Sequence, residues 1–161
     1  MHFAASRTDV FGYAHEGEGG NNTDQVLARM NGISPSGAYF LLVGASDRAS
    51  PLHTVSNILT IAQLLKEKVA TGNGVKVFIS TLLPRTDQFK ERNVKVNVLL
   101  RESIRTCAAS CAQIKLVDLE SGFLSNKAWE TLLSADGLHP NKDGYRLLSE
   151  LLARELSFLM C

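Results

Sequence analysis

The sequence lacks long apolar runs and any excess of charge of one sign. No segment approaches the roughly 20 consecutive apolar residues that a transmembrane helix needs, and the N-terminus has no apolar centre like that of a signal peptide. We therefore expect a soluble chain, cytoplasmic by default. The formal net charge is +1, so no overall field favours nucleic acid or a membrane surface as a partner.

Cysteine is scarce as well. The chain has 3 Cys, of which Cys107 and Cys111 lie four residues apart and Cys161 is the last residue. This odd count, without paired motif spacing, argues against a disulfide framework and against a zinc site. The spacing instead favours Cys107 and Cys111 as small apolar side chains on one side of a helix, together with Val94 and Val98.

What the sequence does contain is an alternation of short β-rich runs with longer helical patterns. The runs predicted to be strands are 39–43, 75–80 and 114–119, and the first two are predicted to be buried. The amphipathic helices are predicted at 51–70, 87–109 and 143–159. Such alternation predicts an α/β fold in one domain over residues 1–161. We expect a three-layer sandwich in which a mostly parallel sheet carries helices on both faces.

Smaller features complete the pattern. Residues 9–13 fit a strand, and Thr23 is suited to cap a helix over residues 24–30. Residues 122–135 fit a loop with a short helical turn around Trp129. None of these segments suggests a second domain.

Asp136 and His139 lie three residues apart on the loop that precedes the last predicted helix. At this spacing the Nδ1–H of His139 can donate to the Asp136 carboxylate, which leaves Nε2 to accept a proton from a nucleophile. In a parallel sheet the functional residues lie beyond the carboxyl ends of the strands, where this loop is expected. The alternative is a surface loop in which Asp136 and the following glycine merely form a turn.

Two further segments are suited to contact a ligand. Gly44-Ala45-Ser46-Asp47 directly follows a predicted strand and offers backbone N–H groups and short polar side chains. Its alternative role is a strand-to-helix turn with Asp47 or Ser50 as the helix cap. The glycine-rich run at 17–22 can bring backbone N–H groups close to a substrate oxygen. It lacks the lysine of a phosphate loop and the glycine spacing of a dinucleotide site.

The other histidines do not indicate a metal site. His15 lies next to Glu16 and close to Glu18, but the three lack the helical spacing of metal ligands. His2 and His53 have no neighbours in sequence that suggest chemistry. No metal is therefore predicted.

Taken together and in this order, these segments resemble the SGNH (GDSL-type) hydrolase superfamily over about residues 9–159. The run from Asp136 to Asn141 is similar to the last block of the superfamily. This resemblance implies that Asp136 is the catalytic aspartate and that His139 is the general base. It also implies a flavodoxin-like arrangement of the sheet and helices.

The second and third blocks of the superfamily have counterparts as well. Gly20 and the residues after it resemble the second block, in which a glycine N–H donates to the oxyanion. Gly44–Asp47 resembles the third block, in which an Asn side chain is another oxyanion donor. Asn97 is similar to an asparagine often found at that place in the superfamily.

Two departures from the superfamily pattern matter. Ser46 stands where the third block has Asn, and its shorter hydroxyl can donate only one hydrogen bond. Losing one oxyanion donor typically lowers the rate ~10²–10³-fold. The Gly-Asp-Ser block that carries the nucleophile does not occur before Gly20, where Ser6 is the only serine. We therefore expect a domain that lacks its first strand. Both truncation and divergence of the sequence would explain this. The nucleophile stays unidentified.

The resemblance implies a serine-type ester hydrolase that acts on carbohydrate or short-chain acyl esters and needs no cofactor. His139 would be the general base, Asp136 would orient it, and Gly20 and Ser46 would stabilise the oxyanion. The alternative is a non-catalytic relative that keeps the fold as a binding or interaction module. A sheet without its first strand would also expose an edge, so self-association is a further expectation.

Overall fold

The computed structural model of the chain describes residues 16–69 and 76–156. Within them, strands β1 (Tyr39–Leu41), β2 (Val77–Ser80) and β3 (Ile114–Val117) form a parallel sheet in the order β1-β2-β3. The strands thus have the parallel arrangement that the sequence predicts. The strand predicted at 9–13 lies outside the described residues.

Helices connect and follow these strands. The α-helices of the described residues are α1 (Thr23–Ala28), α2 (Pro51–Lys68), α3 (Lys90–Thr106), α4 (Leu119–Leu124) and α5 (Lys142–Leu156). Short 3-10 turns occur at Met30–Gly32, Ala108–Cys111 and Trp129–Leu132. None of the helices in this part of the chain combines the length and the apolar character needed to span a bilayer.

The sheet separates two hydrophobic cores. Val77 and Ile79 of β2 belong to the core that α2 and α3 cover. Phe78, between them in sequence, belongs to the other core, with Phe123 of α4 and Leu148 of α5. Because side chains alternate between the faces of a strand, this division confirms the predicted three-layer α/β arrangement with helices on both faces.

β1 departs from the prediction of a strand buried on both faces. Leu41 is buried, but Phe40 is 38% exposed and Leu42, just after the strand, is 44% exposed. The reason is that α4 and α5 pack against Phe78 of β2 and Val117 of β3 rather than against Phe40. Within the described residues β2 is the only strand paired with β1. Self-association through this edge stays a prediction.

α3 is shorter than the helix predicted at 87–109, and it turns a different side inward. Its start is delayed because the Asp87 carboxylate accepts the N–H of Phe89 at 3.0 Å. Val94 and Val98 are exposed. The buried residues of α3 are Asn93, Val96, Asn97 and Leu100. The two asparagines lie inside because their amides bond the backbone of the loop after β2.

The end of β3 also differs from the prediction. The strand stops just before Asp118, whose carboxylate caps α4 by accepting the N–H of Ser121 at 3.1 Å. Although partial burial raises the pKa of Asp118, hydrogen bonds from Arg101 and Ser121 lower it to about 2. α4 therefore occupies the first part of the segment predicted to be a loop. The predicted helical turn around Trp129 is confirmed.

The structure corrects the prediction for Cys107 and Cys111, whose Sγ atoms are joined in a disulfide. α3 ends before the first of them, so both lie at a 3-10 turn rather than on a continuous α-helix. Their Cα atoms are 5.6 Å apart, within the range that a disulfide spans. Gln63 and Lys66 of α2 donate to the carbonyl of Ser110 in this turn, at 3.0 and 3.1 Å.

We expect Cys107 and Cys111 to resist alkylation in the purified, unreduced chain, because a disulfide leaves no thiolate to react. N-ethylmaleimide added in denaturant, followed by mass spectrometry of tryptic peptides, should label both cysteines only after reduction. Labelling of both before reduction would contradict the pairing. Cys107→Ser is the control, since it should open Cys111 to the reagent without reduction.

Candidate active site

The loop before α5 carries the acid–base pair predicted from the sequence. The Oδ2 atom of Asp136 lies 2.6 Å from Nδ1 of His139. Its other oxygen, Oδ1, accepts the backbone N–H groups of Leu138 at 2.9 Å and of His139 at 3.0 Å. The side chains of Asp136 and His139 are 49% and 54% exposed, so the pair lies at the surface.

These contacts favour the charged form of Asp136. Hydrogen bonds from the His139 side chain, and then from the backbone N–H groups of His139 and Leu138, hold the pKa of Asp136 well below its ordinary value. Because an ionised carboxylate can only accept, Nδ1 carries the proton of the neutral imidazole. No hydrogen bond joins Nε2 to a described residue. This nitrogen is therefore able to take a proton from a hydroxyl.

Backbone contacts hold the loop in shape. Gly137 has φ +66°, a conformation that residues with a side chain rarely adopt. A Cβ there would lie 2.4 Å from Oγ1 of Thr86, so the loop sits directly on the connection between β2 and α3. The N–H of Ser134 donates to the carbonyl of His139 at 2.7 Å and closes the turn.

Asn141 joins this loop to the helix behind it. Its Oδ1 accepts the N–H groups of Asp143 at 3.0 Å and of Gly144 at 3.1 Å, as expected of a helix cap. Its Nδ2 donates to the carbonyls of Thr131 at 2.7 Å and of Leu133 at 3.1 Å. One side chain thus fixes the loop between a 3-10 turn and α5.

The loop after β1 contains Ser46 and the buried carboxylate of Asp47. Asp47 accepts hydrogen bonds from the N–H of Thr23 at 2.8 Å, the hydroxyl of Thr23 at 2.6 Å and the hydroxyl of Thr54 at 2.7 Å. Thr23 begins α1, shortly after Gly20. Asp47 therefore joins the two segments that carry the predicted oxyanion donors.

The helix caps next to this contact were predicted only in part. Ser50 caps α2, which was one of the two candidates for that cap. Thr23 does not cap α1, because its hydroxyl bonds Asp47. Asn22 takes this role: its side chain accepts the N–H of Gln25 at 2.9 Å, and the Gln25 side chain accepts the N–H of Asn22 at 2.9 Å.

Ser46 and Gly20 carry donor groups that have no partner among the described residues. These groups are the hydroxyl and the N–H of Ser46 and the N–H of Gly20. Gly20 is exposed and Ser46 is partly exposed. The role of these donors in the reaction stays a prediction.

The structure also shows a second histidine–carboxylate pair that the sequence did not indicate. Nε2 of His53 lies 2.9 Å from Oδ1 of Asp24. The Asn57 amide nitrogen reaches both groups, at 2.8 Å from the Asp24 oxygen and 3.2 Å from the His53 nitrogen. The pair joins the first turns of α1 and α2. A separation of 29 residues leaves no local spacing from which it could be found.

The sequence model of the GDSL-like Lipase/Acylhydrolase family matches residues 2–147 of the chain. The chain belongs to this family. Membership makes it a relative of the acylhydrolases, in agreement with the resemblance drawn from its blocks. A search of curated proteins found no match.

Solved structures of the family fold share little sequence with the chain. A lipolytic protein of the G-D-S-L family from Veillonella parvula is 18% identical, with a TM-score of 0.66 over 84% of this chain and 74% of its own. A carbohydrate esterase of family 3 from Talaromyces cellulolyticus is 15% identical, with a TM-score of 0.75 over 98% and 77%. An acetyl esterase mutant with acetate ion is 15% identical, with a TM-score of 0.75 over 90% and 70%. These likenesses show the GDSL-type α/β fold.

The residues that the structure describes do not identify the family's serine nucleophile. Ser6, the candidate before the second block, lies outside the described residues. Asp136 and His139 are in contact, while Gly20 and Ser46 are joined only indirectly, through Asp47 and α1. The predicted site residues thus fall into two groups in the structure, and their roles stay a prediction.

Gly137→Ala should destabilise the chain more than Gly20→Ala. Both glycines have positive φ, 66° and 82°, so alanine is strained at each by about 1–2 kcal/mol. Only at Gly137 would the new Cβ also meet a neighbour, Thr86, whereas nothing lies within 4 Å of a Cβ at Gly20. Urea unfolding measures the difference, and equal losses in the free energy of unfolding would contradict the tight contact.

Proposed function

We propose that the chain supplies the acid–base and oxyanion parts of a serine-type ester hydrolase. The observation that carries the proposal is the 2.6 Å contact between Asp136 Oδ2 and His139 Nδ1, with no hydrogen bond from Nε2 to a described residue. In this geometry His139 acts as general base toward a hydroxyl nucleophile. Asp136 orients the ring and stabilises the imidazolium that forms.

Gly20 and Ser46 are the proposed oxyanion donors. Attack on an ester carbonyl puts negative charge on the carbonyl oxygen, and donors about 3 Å from that oxygen lower the barrier. Gly20 offers its backbone N–H, and Ser46 offers both its N–H and its hydroxyl. An Asn amide would reach farther than the Ser46 hydroxyl, so we expect slower hydrolysis than with Asn at this position.

The proposed substrates are carbohydrate or short-chain acyl esters, O-acetyl groups in particular. The acylhydrolase family of the chain supports this class, as do the solved structures of the same fold that are described as an acetyl esterase and a carbohydrate esterase. The chemistry needs no cofactor, because the acyl group passes to a serine and then to water.

A non-catalytic binding or interaction module is the second candidate function. The absence of a Gly-Asp-Ser motif from the sequence and the presence of Ser46 in place of Asn favour it. The Asp136–His139 contact favours the hydrolase, because a binding module has no need of a general base.

His139→Ala should lower kcat for p-nitrophenyl acetate about 10²–10⁴-fold, because the general base is lost. His53→Ala is the matched control, since it also removes a half-exposed histidine beside an aspartate, Asp24. We expect the control to keep the rate of the unaltered chain. Equal rates for the unaltered chain and His139→Ala, or an equal loss in His53→Ala, would contradict the role of His139.

A fluorophosphonate probe tests for the nucleophile, because it reacts covalently with an activated serine. After labelling, tryptic digestion and mass spectrometry name the modified residue. A label on Ser6 that disappears in His139→Ala would assign the nucleophile. A chain that takes up no label but binds acetylated oligosaccharides would support the binding module instead.

A further inference from the structure

Arg85 lies in the connection between β2 and α3, with its side chain 1% exposed. Its Nε and Nη2 atoms donate to the two oxygens of Asp87, and its Nη1 donates to the carbonyl of Ala45 at 3.0 Å. A buried guanidinium is destabilising unless its donors are paired. The donors of Arg85 are paired with acceptors in two loops, its own and the one that follows β1.

The contact with Ala45 orients a peptide group beside the candidate oxyanion donors. The carbonyl of Ala45 and the N–H of Ser46 belong to the same planar, trans peptide group. Arg85 donates to this carbonyl oxygen at 3.0 Å and Arg48 at 3.4 Å, so the shorter bond, from Arg85, chiefly fixes the carbonyl and thereby directs the N–H to the opposite side. This N–H has no partner among the described residues, and in the proposed function it donates to the oxyanion.

The next residue, Thr86, orients a second peptide group, which lies in the loop that carries Asp136 and His139. The N–H of Thr86 donates to the carbonyl of Gly137 at 2.8 Å. That carbonyl shares its peptide plane with the N–H of Leu138, which donates to Oδ1 of Asp136 at 2.9 Å. The direction of the Asp136 carboxylate, and with it the His139 ring, therefore depends on where Thr86 is held.

Arg85 and Asp87 precede and follow Thr86 in the sequence, and the ion pair between them holds Thr86 in place. Asp87 accepts the N–H of Phe89 at 3.0 Å as well, which fixes the turn into α3. The Phe89 ring centre lies 5.2 Å from the Arg85 guanidinium and 3.9 Å from that of Arg48, both within the range of a cation–π contact. The segment from 85 to 89 is thus held by charge, hydrogen bonds and ring contacts together.

We propose that Arg85 is a positioning residue for the hydrolytic reaction. Through Ala45 it directs the Ser46 N–H, and through Thr86 it aligns the Asp136–His139 pair, so one side chain couples the two parts of the site. This inference deepens the proposed function and rests on it. Arg85 contacts neither the substrate nor the reacting atoms, and it acts by way of two peptide groups.

Arg85→Met tests the proposal, with Arg101→Met as the matched control. Arg101 also forms an arginine–carboxylate pair, with Asp118 at 2.7 Å, but at the contact between α3 and α4. Long-range nitrogen–proton NMR spectra report which nitrogen of the His139 ring carries the proton. We expect the Nδ1–H form in the unaltered chain and in Arg101→Met. In Arg85→Met we expect a mixture of both tautomers, because Asp136 is no longer held in place.

The same variants are assayed with p-nitrophenyl acetate. We expect kcat to fall about 10- to 100-fold in Arg85→Met with little change in KM, because misplaced groups slow the chemical step more than they weaken binding. Arg101→Met should keep the rate. Arg85→Lys should recover only part of it, since an ammonium group cannot contact Asp87 with two donors and also reach Ala45.

Unchanged tautomer populations in Arg85→Met would overturn the proposal. An equal change in Arg101→Met would overturn it too, because the effect would then follow from lost stability alone. If Arg85→Met fails to fold, Arg85→Lys is judged by the same two criteria. If the unaltered chain hydrolyses no ester while the tautomers still shift, the proposed function fails and the positioning of His139 by Arg85 is supported.

Discussion

The buried carboxylate of Asp47 forms the contacts on which the relative position of the two proposed oxyanion segments depends. It can only accept hydrogen bonds, and three donors from two helices, supplied by Thr23 of α1 and Thr54 of α2, converge on it. Removing the carboxylate would leave all three donors unpaired in the interior, where each costs about 1–3 kcal/mol. Arg92 supports the same contact, because its Nη2 donates to the Thr54 hydroxyl at 2.5 Å. The loop of Ser46 and the start of α1 are therefore held as one unit.

Buried polar side chains, more than the apolar cores, set the positions of the loops around the site. Asn97 of α3 accepts the N–H of Leu82 at 2.8 Å and donates to its carbonyl at 2.9 Å, which anchors the segment after β2. From that anchored segment Arg85 reaches the loop after β1. Apolar packing fixes where helices lie on a sheet, but it is not directional. Directional hydrogen bonds are needed to fix where a peptide group points.

The distance along the chain between interacting residues explains which features the sequence predicts and which it does not. Apolar periodicity depends on neighbours a few residues apart, so the α/β class and the three-layer arrangement could be predicted. The contact between Asp136 and His139 is equally local. The role of Thr23 could not be predicted, because its hydroxyl bonds Asp47, which lies 24 residues away. The inner side of α3 was missed for the same reason: Asn97 is buried only because a distant backbone segment satisfies its amide.

The two histidine–carboxylate pairs show that residue types and distance do not by themselves identify a general base. Both pairs are about half exposed, and in both a ring nitrogen lies within 3 Å of a carboxylate oxygen. The carboxylate of Asp24 is held by the side chains of His53 and Asn57, which lose rotamer entropy when they are ordered. The carboxylate of Asp136 is held by two backbone N–H groups of its own loop, so less rotamer entropy is lost when it is ordered. Catalysis favours groups that need no reorganisation in the transition state, and by this physical criterion His139 is better suited to accept a proton than His53.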